Sequence, residues 1–349
     1  MVNIITTPFI TIIVPCRNEV RFIGSCLFSI LANSYPKDLA EILVVDGLSD
    51  DGTRKEVERI AAHHPSVRML DNPKRTTPAA LNVGIQQAKG DVLIRMDAHA
   101  TYPVDYISKL VEWQRKTGAD NVGGVRIAVP ADQTPMAVAI ARGVSHPFGV
   151  GTSHYQVGLT EPKRVDTVWG GCFKKELFKT VGLFDEQFIR NQDDEFNHRL
   201  IGQGGRVLLV PDVYAFYVAR NSLSKLWRMY YQYGYFKPLT AHKLGRIMTG
   251  RQLVPAIMVL AGAFSLALGV WLPKSLFLFF SLAATYLLAT LALGAQIGIK
   301  DGWLCGLWMP VVFLTIHLSY GVGFLQRVLT LWCLPKQGAF DGATTPLSR

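Results

Sequence analysis

Short apolar runs of strand length alternate with segments of helical spacing over the first 220 residues. The apolar runs at 10–15, 41–46, 67–70 and 92–96 each give way to a turn rich in polar residues or proline, and a helical pattern follows. Strands that alternate with helices in this order predict a parallel sheet with right-handed crossovers. We therefore expect an α/β fold with a mostly parallel, Rossmann-like sheet.

The second half of this region continues the pattern less regularly. Further strands and helices are predicted at 122–129, 165–173, 174–180, 191–202 and 206–210. The span 131–162 is rich in Gly, Ser, His and Pro, which predicts a long loop with one helix near 136–142.

Beyond residue 251 the pattern changes to three long apolar segments, each close to the roughly 20 residues that a helix needs to cross a bilayer. The preceding segment mixes basic and aromatic residues, which is typical of an amphipathic helix at a membrane interface. A core helix with a charged rim fits the same pattern. The sequence thus predicts a catalytic domain at 1–220, an interfacial linker at 221–251, transmembrane helices at 252–272, 275–299 and 303–326, and a tail at 327–349.

The net charge of +10 comes from 36 Lys and Arg residues against 26 Asp and Glu residues. Several cations cluster just before the first long apolar segment, where a cytoplasmic domain would meet an anionic leaflet. No nucleic-acid-binding motif accompanies them, so the membrane is expected as a partner and nucleic acid is not. The N-terminus also lacks a signal-peptide pattern. We expect an integral membrane protein whose N-terminal domain faces the cytoplasm.

Polar patches stand where predicted strands end and where one helix begins, at 15–19, 46–51, 97–99 and Asp193. Ligands of open α/β sheets bind outside the carboxyl ends of the strands, so we expect these patches to converge. An acid after the second strand can accept a hydrogen bond from a nucleotide base, and Arg75 can meet phosphate. Asp97 and His99 can hold a metal against a diphosphate. Asp193, opposite them, can act as a general base.

Together these motifs resemble the family 2 inverting glycosyltransferases with the GT-A fold. The resemblance covers roughly residues 8–240 and rests on the segments 14–19, 45–53, 97–100 and 192–199 and on Arg75 with Asn82. The segment Asp97-Ala98-His99 is most similar to the bacterial exopolysaccharide branch, the ExoA-type succinoglycan glucosyltransferases.

The resemblance implies a role for each matching residue. Asp193 is the catalytic base, and Asp97 and His99 hold Mg²⁺ or Mn²⁺, with His99 standing where the family usually has a second Asp. The residues assigned to the nucleotide are Pro15, Arg17, Asn18, Glu19, Asp46, Arg75, Asn82 and Asp97. The residues assigned to the acceptor or donor sugar are Trp169, Gly170, Gly171, Asp194 and Arg199.

Simpler roles are open for some of these positions. Trp169 fits a hydrophobic core as well as a sugar platform. Gly170 and Gly171 can serve only to turn the chain, and Asp51 is better interpreted as a helix cap than as a ligand contact. Gln192 stands where the family has a Glu before the catalytic Asp.

The predicted enzyme is anchored in the membrane and transfers glucose or a related hexose from a UDP-sugar to a lipid-linked, polyprenyl acceptor in exopolysaccharide or cell-envelope glycan synthesis. Direct transfer to a polyprenyl phosphate or a glycolipid hydroxyl is the alternative. The Gln-x-x-Arg-Trp signature of processive synthases is not found, which favours one sugar per acceptor. A nucleotidyltransferase and a non-catalytic membrane scaffold are the remaining hypotheses; the first would be expected to carry a Gly-rich phosphate loop after the first strand, where this chain has none.

Overall fold

The computed structural model describes residues 7–245 and 250–333. These residues form two compact units. The first unit contains residues 7–127 and 158–217, and the second contains residues 128–157 together with the described residues from 218 to 333. The segment 128–157 lies in the middle of the predicted 1–220 domain, so the second unit takes in part of that stretch of sequence.

Nine strands of the described residues form one sheet. In chain order they are β1 (Ile10–Cys16), β2 (Ala40–Asp46), β3 (Val67–Asp71), β4 (Val92–Arg95), β5 (Ala100–Thr101), β6 (Asn121–Val129), β7 (Lys163–Arg164), β8 (Trp169–Lys174) and β9 (Val207–Val218).

The helices comprise short crossovers and four long C-terminal elements. They are α1 (Ile23–Leu31), α2 (Thr53–Ala61), α3 (Thr77–Gln87), α4 (Tyr106–Thr117), α5 (Pro135–Gly143), α6 (Pro147–Val150), α7 (His154–Val157), α8 (Leu177–Thr180), α9 (Gln192–Gly202), α10 (Leu223–Leu244), α11 (Val254–Gly269), α12 (Lys274–Asp301) and α13 (Trp303–Cys333).

The sheet is mixed. Strands β1 to β4 pair in parallel, with β1 between β2 and β4, as the alternation of strands and helices predicts. Strand β8 then runs antiparallel to β4, and β6 and β9 extend the sheet beyond it in the order β3-β2-β1-β4-β8-β6-β9-β5. Apolar patterns locate strands but do not encode their direction, so the antiparallel half could not be predicted from hydrophobicity.

Helix α9 is fixed to the sheet by a cluster of four phenylalanines. The rings of Phe173, Phe178, Phe184 and Phe196 lie with their centroids 4.7–6.3 Å apart. Phe173 belongs to β8 and Phe196 to α9. The cluster therefore holds the N-terminus of α9, where Asp193 lies, at a set place in the first unit.

The observed elements differ from the predicted ones mainly at their ends. Strand β9 continues eight residues past the expected end at 210, with alternating buried and exposed side chains. Strand β8 begins at Trp169 rather than 165, and the helix expected near 136–142 is α5. The span 131–162 also contains α6 and α7, which its Gly and Pro content did not indicate.

The second unit contains three helices that are long and apolar enough to cross a membrane, at Gly250–Gly269, Lys274–Asp301 and Trp303–Cys333. They overlap the three segments predicted from the sequence, with ends that differ by up to seven residues. Helix α10 fills most of the predicted linker 221–251, of which residues 246–249 lie outside the described residues. Helix α13 runs into the predicted tail, whose residues 334–349 also lie outside the described part.

Candidate active site

The loops after β1 and β2 are joined by hydrogen bonds. Asn18 adopts a left-handed conformation with φ of 55°, which Asn tolerates. Its backbone N–H donates to Ser49 Oγ at 2.8 Å, and its Oδ1 accepts from the N–H of Asp50 at 3.1 Å. The N–H of Glu19 donates to Thr53 Oγ1 at 2.8 Å. The first two predicted patches therefore meet at one edge of the sheet.

Asp51 is exposed, but its carboxylate is bound by backbone N–H groups at and near the start of α2. Its Oδ1 accepts from the backbone N–H of Thr53 at 2.9 Å, and its Oδ2 accepts from that of Val20 at 3.1 Å. Partial burial raises the pKa of Asp51, but these hydrogen bonds outweigh it and the pKa is lowered overall. The contacts support the interpretation of Asp51 as a cap.

Asp46 ends β2 with a fully buried carboxylate. Its Oδ2 accepts from the Ser49 N–H and from Arg54 Nη1, both at 2.9 Å. Its Oδ1 accepts from the Ser49 hydroxyl and, at 3.6 Å, from the Cys16 thiol. The carboxylate thus organises the loop that follows it. Base recognition by Asp46 stays a prediction, and it would require a nucleotide to share or replace these donors.

Pro15, Arg17 and Arg75 lie along the same edge. Pro15 is opposite Val45 in the β1–β2 pair. Arg17 is half-buried, and its Cβ is 3.1 Å from the position that a Cβ on Gly47 would take. Arg75 is exposed and left-handed, with φ of 59°. Both arginines bring positive charge to the edge where the sequence predicts a diphosphate.

Asn82 is engaged with the protein itself. Its Nδ2 donates to the Phe184 carbonyl at 2.9 Å, and its Oδ1 accepts from the Phe184 N–H at 3.0 Å. A further bond joins Nδ2 to Glu186 at 3.2 Å. These contacts favour a structural role for Asn82 over the nucleotide contact that the resemblance implies.

Asp97 is held by three donors just beyond the end of β4. Arg95 Nε and Nη2 donate to its Oδ1 at 3.1 and 3.0 Å, and Trp169 Nε1 donates to its Oδ2 at 3.0 Å. Burial raises the pKa of Asp97, yet Arg95 and the nearby His99 outweigh burial and lower it. Asp97 is therefore kept ionised. Trp169, buried as a core residue would be, orients this carboxylate.

Asp193 lies in the first turn of α9 and is paired with the same arginine. Arg95 Nη1 donates to Asp193 Oδ1, across 98 positions of sequence. The Asp193 side chain is 20% exposed, whereas those of Arg95 and Asp97 are 8% and 11% exposed. One guanidinium thus joins the residue predicted on the donor side to the predicted base, and the base keeps access to solvent.

The pKa of Asp193 is raised to about 6. Burial is the largest cause; Arg95 lowers the pKa, and the neighbouring acids Asp97 and Asp194 raise it. A carboxylate with a pKa near 6 is ionised at neutral pH and binds a proton more strongly than an ordinary Asp. Both properties suit a general base.

The other acids of α9 are arranged differently. Glu195 is fully buried and accepts from Arg199 Nε at 2.6 Å and Nη2 at 3.0 Å. Arg199 also donates to the carbonyls of Val181 and Leu183. Arg199 thus ties α9 to the preceding loop, which favours a structural role over the predicted sugar contact. Asp194 is half-buried beside Asp193, and its sugar contact stays a prediction.

Gly170 and Gly171 let the backbone of β8 run close to that of Arg95. Their φ angles are 76° and 116°, which side-chain-bearing residues rarely adopt. A Cβ on Gly170 would stand 3.2 Å from the Arg95 carbonyl oxygen, and one on Gly171 would stand 2.6 Å from the Phe173 ring. The glycines are thus required by the backbone, and their contact with an acceptor stays a prediction.

Among residues 7–245 and 250–333, no three or more His, Cys, Asp and Glu side chains are grouped to hold a metal ion. The two predicted ligands nevertheless have suitable chemistry. The Asp97 carboxylate uses three of its roughly four acceptor positions for protein donors. His99 Nδ1 lies 3.1 Å from Glu19 Oε1, and donation to that carboxylate would place the lone pair of the imidazole on Nε2. Glu19 thus contacts the predicted metal ligand, and its contact with the nucleotide stays a prediction.

Two features of the site were not predicted from the sequence: the pairing of Arg95 with two carboxylates and the hydrogen bond from Trp169 to Asp97. Arg95 is the one charged residue in an otherwise apolar strand, Val92–Arg95. An unpartnered charge in a buried strand is costly, so its presence there could have signalled buried carboxylate partners. Which carboxylates these are depends on tertiary contacts.

Known proteins similar to this chain point to one family. The glycosyl transferase family 2 model matches residues 11–182. Succinoglycan biosynthesis protein ExoA of Rhizobium meliloti is 31% identical over 322 residues, which is 91% of this chain and 94% of that protein. A dolichyl N-acetyl-alpha-D-glucosaminyl phosphate 3-beta-D-2,3-diacetamido-2,3-dideoxy-beta-D-glucuronosyltransferase of Methanococcus voltae is 32% identical, over 67% of this chain and 74% of that protein.

The fold has a solved counterpart. The mannosyltransferase PcManGT of Pyrobaculum calidifontis, in complex with GDP-Man and Mn²⁺, superposes with a TM-score of 0.56. It is 22% identical and is matched over 92% of this chain and 88% of its own. The mixed sheet followed by apolar helices is therefore a GT-A catalytic fold with C-terminal helices. The extent and identity of the sequence match to ExoA establish that this chain belongs to glycosyl transferase family 2.

Proposed function

We propose that this chain is a membrane-anchored inverting glycosyltransferase that moves a hexose from a UDP-sugar to a lipid-linked acceptor. The observation that supports this most is the shared guanidinium. Arg95 binds both Asp97, on the predicted donor side, and Asp193, the predicted base. A base beside the donor site is what a direct displacement at the anomeric carbon requires.

In the proposed reaction a hydroxyl of the acceptor attacks the anomeric carbon from the face opposite the diphosphate. The new carbon–oxygen bond forms while the bond to the diphosphate oxygen breaks, and UDP leaves with that electron pair. Asp193 takes the proton of the attacking hydroxyl. The sugar configuration inverts because one displacement occurs.

The residues proposed to hold a divalent cation are Asp97 and His99. Mg²⁺ or Mn²⁺ would neutralise negative charge on the departing diphosphate. Glu19 would orient the His99 imidazole, and Arg95 and Trp169 orient the Asp97 carboxylate.

Two observations support a lipid-linked acceptor and a role in envelope glycan synthesis. The second unit contains three helices long and apolar enough to cross a membrane. The relatives from Rhizobium meliloti and Methanococcus voltae carry names that describe succinoglycan biosynthesis and transfer to a dolichyl-linked sugar phosphate. A sugar hydroxyl on such a lipid needs a base, which the raised pKa of Asp193 suits.

The test uses the full chain in lipid nanodiscs with a panel of UDP- and GDP-hexoses. UDP release should require a polyprenyl-linked saccharide acceptor, and the product should have the anomeric configuration opposite to the donor. Release of hexose 1-phosphate in place of UDP or GDP would indicate a nucleotidyltransferase, because the nucleotidyl group would then be the group transferred. Nucleotide binding without any release would indicate a non-catalytic scaffold.

A further inference from the structure

Arg95 is an unusual residue for its position. It is the last residue of β4, a strand whose other residues are apolar and buried, and its own side chain is 8% exposed. Burying an unpaired guanidinium in such a place is energetically costly. Two carboxylates offset this cost. They are Asp97, which follows Arg95 by two residues, and Asp193 on α9.

The N–H donors of the Arg95 guanidinium are shared between Asp97 and Asp193. Nε and Nη2, two donors on one side of the planar group, bind the same oxygen of Asp97 at 3.1 and 3.0 Å. Nη1 is thereby directed to Asp193. A guanidinium carries its donors in a fixed fork, so fixing two of them also fixes the third. An ammonium group has no such fork.

We propose that Arg95 is a positioning residue that uses Asp97 as its anchor and holds the Asp193 carboxylate ionised and in place for the incoming acceptor. The inference rests on the proposed function in assigning Asp193 as the base. It goes beyond the proposed function because Asp97, on the predicted donor side, then helps to position the base Asp193.

The charges around Asp193 support this role. The groups that act on it are Arg95 on β4, Asp97 after β4 and Asp194 on α9. Arg95 is the one cation among them, and both acids favour protonation of Asp193. Without Arg95, burial and the two acids would raise the pKa of Asp193 above its value of about 6. A larger fraction of the base would then be protonated at neutral pH.

A purely structural role for Arg95 predicts something different. The close contact of Gly170 is with the Arg95 carbonyl oxygen, which any residue at this position provides. Arg95→Met keeps that backbone contact and much of the side-chain volume. A structural defect would lower the amount of folded protein without moving the titration of Asp193.

The first measurement needs no turnover. The full chain is labelled with ¹³C at aspartate carboxyls, and the Asp193 resonance is identified by its loss in Asp193→Asn. We expect Arg95→Met to raise the titration midpoint of Asp193 by about one to three units. Arg95→Lys, which keeps the charge, should give a smaller rise. An Asp193 midpoint that moves in neither variant would overturn the proposal.

The second measurement is the pH profile of sugar transfer to a hydroxyl acceptor. The acid limb of kcat should move to higher pH in Arg95→Met by the same interval as the titration. Arg68→Met is the matched control, because Arg68 is a partly exposed arginine on β3 that pairs with Glu41 at 3.5 Å. Its acid limb should stay at the wild-type position.

The two proposals fail in different ways. If wild-type protein transfers no sugar to any acceptor, the proposed function is wrong, and the titration still decides the role of Arg95. If wild-type protein transfers sugar but the acid limb is the same in Arg95→Met as in wild type, the role of Arg95 is wrong and the function stands.

Discussion

At the scale of single residues, the site depends on one charge cluster that the sequence only half revealed. Asp97 and Asp193 could be selected from the sequence because they match family motifs at a strand end and a helix start. Arg95 could not, because its partner on α9 is 98 positions away. The same limit applies to Asn82 and Arg199, whose motif positions suggested ligand contacts but whose side chains bind the loop at 181–186.

The pH dependence of sugar transfer follows from the ionisation of Asp193. Asp193 must be ionised to accept a proton, and its pKa is about 6. Turnover on a hydroxyl acceptor should therefore be constant above neutral pH and fall as the pH drops through 6, approaching tenfold per unit. The pKa of Asp97 is lowered, so Asp97 stays ionised over this range. A profile that is flat from pH 8 to pH 5 would contradict the assignment of Asp193 as base.

Metal dependence is also decided by individual side chains. Hard oxygen ligands favour Mg²⁺, and an imidazole ligand shifts preference toward Mn²⁺. We expect excess EDTA to abolish transfer and Mn²⁺ to restore it at least as well as Mg²⁺. In calorimetry, Asp97→Ala should weaken metal-dependent binding of the nucleotide-sugar more than His99→Ala does. Full activity in EDTA would show that the cation has no role.

At the scale of elements, the sequence located most strands and helices but not how they pair. The α/β alternation predicted the parallel strands β1 to β4, because each crossover helix is local in sequence. The antiparallel β8, β6 and β9 are joined by longer connections that local patterns do not describe. Helices α6 and α7 are four residues each, too short for a periodic signal.

The contact between α10 and α13 gives a prediction at this scale. A Cβ on Gly323 of α13 would overlap the Tyr231 carbonyl oxygen of α10, so the two backbones touch there. Gly323→Val should force the helices apart and cost about 1–3 kcal/mol, lowering the melting temperature in detergent. Gly262→Ala on α11 is the matched control, since its Cβ would meet only Phe279, at 3.9 Å. Equal melting temperatures for the two variants would contradict this packing.

At the scale of the whole molecule, sequence composition identified three apolar helices but not how much of each is covered by protein. In the most apolar stretches of Gly250–Gly269 and α12, 11% and 6% of the residues are buried by protein. In that of α13, 39% are buried. Within the second unit, α13 contacts α5 at Gly143 and α10 at Tyr231. Helix α10 carries three lysines and one arginine, which do not suit the bilayer core.

The sequence predicts three transmembrane helices, with only two full spans as the alternative; the greater burial of α13 favours that alternative, in which α11 and α12 cross and the end of α13 lies on the cytoplasmic side. The five cysteines all lie within the described residues, and Cys333, at the end of α13, is the exposed one. A membrane-impermeant maleimide should label Cys333 only after cells are permeabilised. Lys274→Cys in a Cys333→Ser background, between α11 and α12, should be labelled in intact cells. Labelling of Cys333 in intact cells would instead show that all three helices cross.

The most direct test of the account compares Asp193→Asn with Asp194→Asn in turnover on a lipid-linked sugar with a free hydroxyl. Asp193→Asn keeps size and hydrogen bonding but removes the base, so turnover should fall by about 10²–10⁴-fold while nucleotide binding is nearly unchanged. Asp194→Asn should lose far less turnover, because Asn can still make the hydrogen bonds of the sugar contact predicted for Asp194. Normal turnover in Asp193→Asn, with Asp194→Asn inactive, would show that Asp193 does not accept the proton of the acceptor.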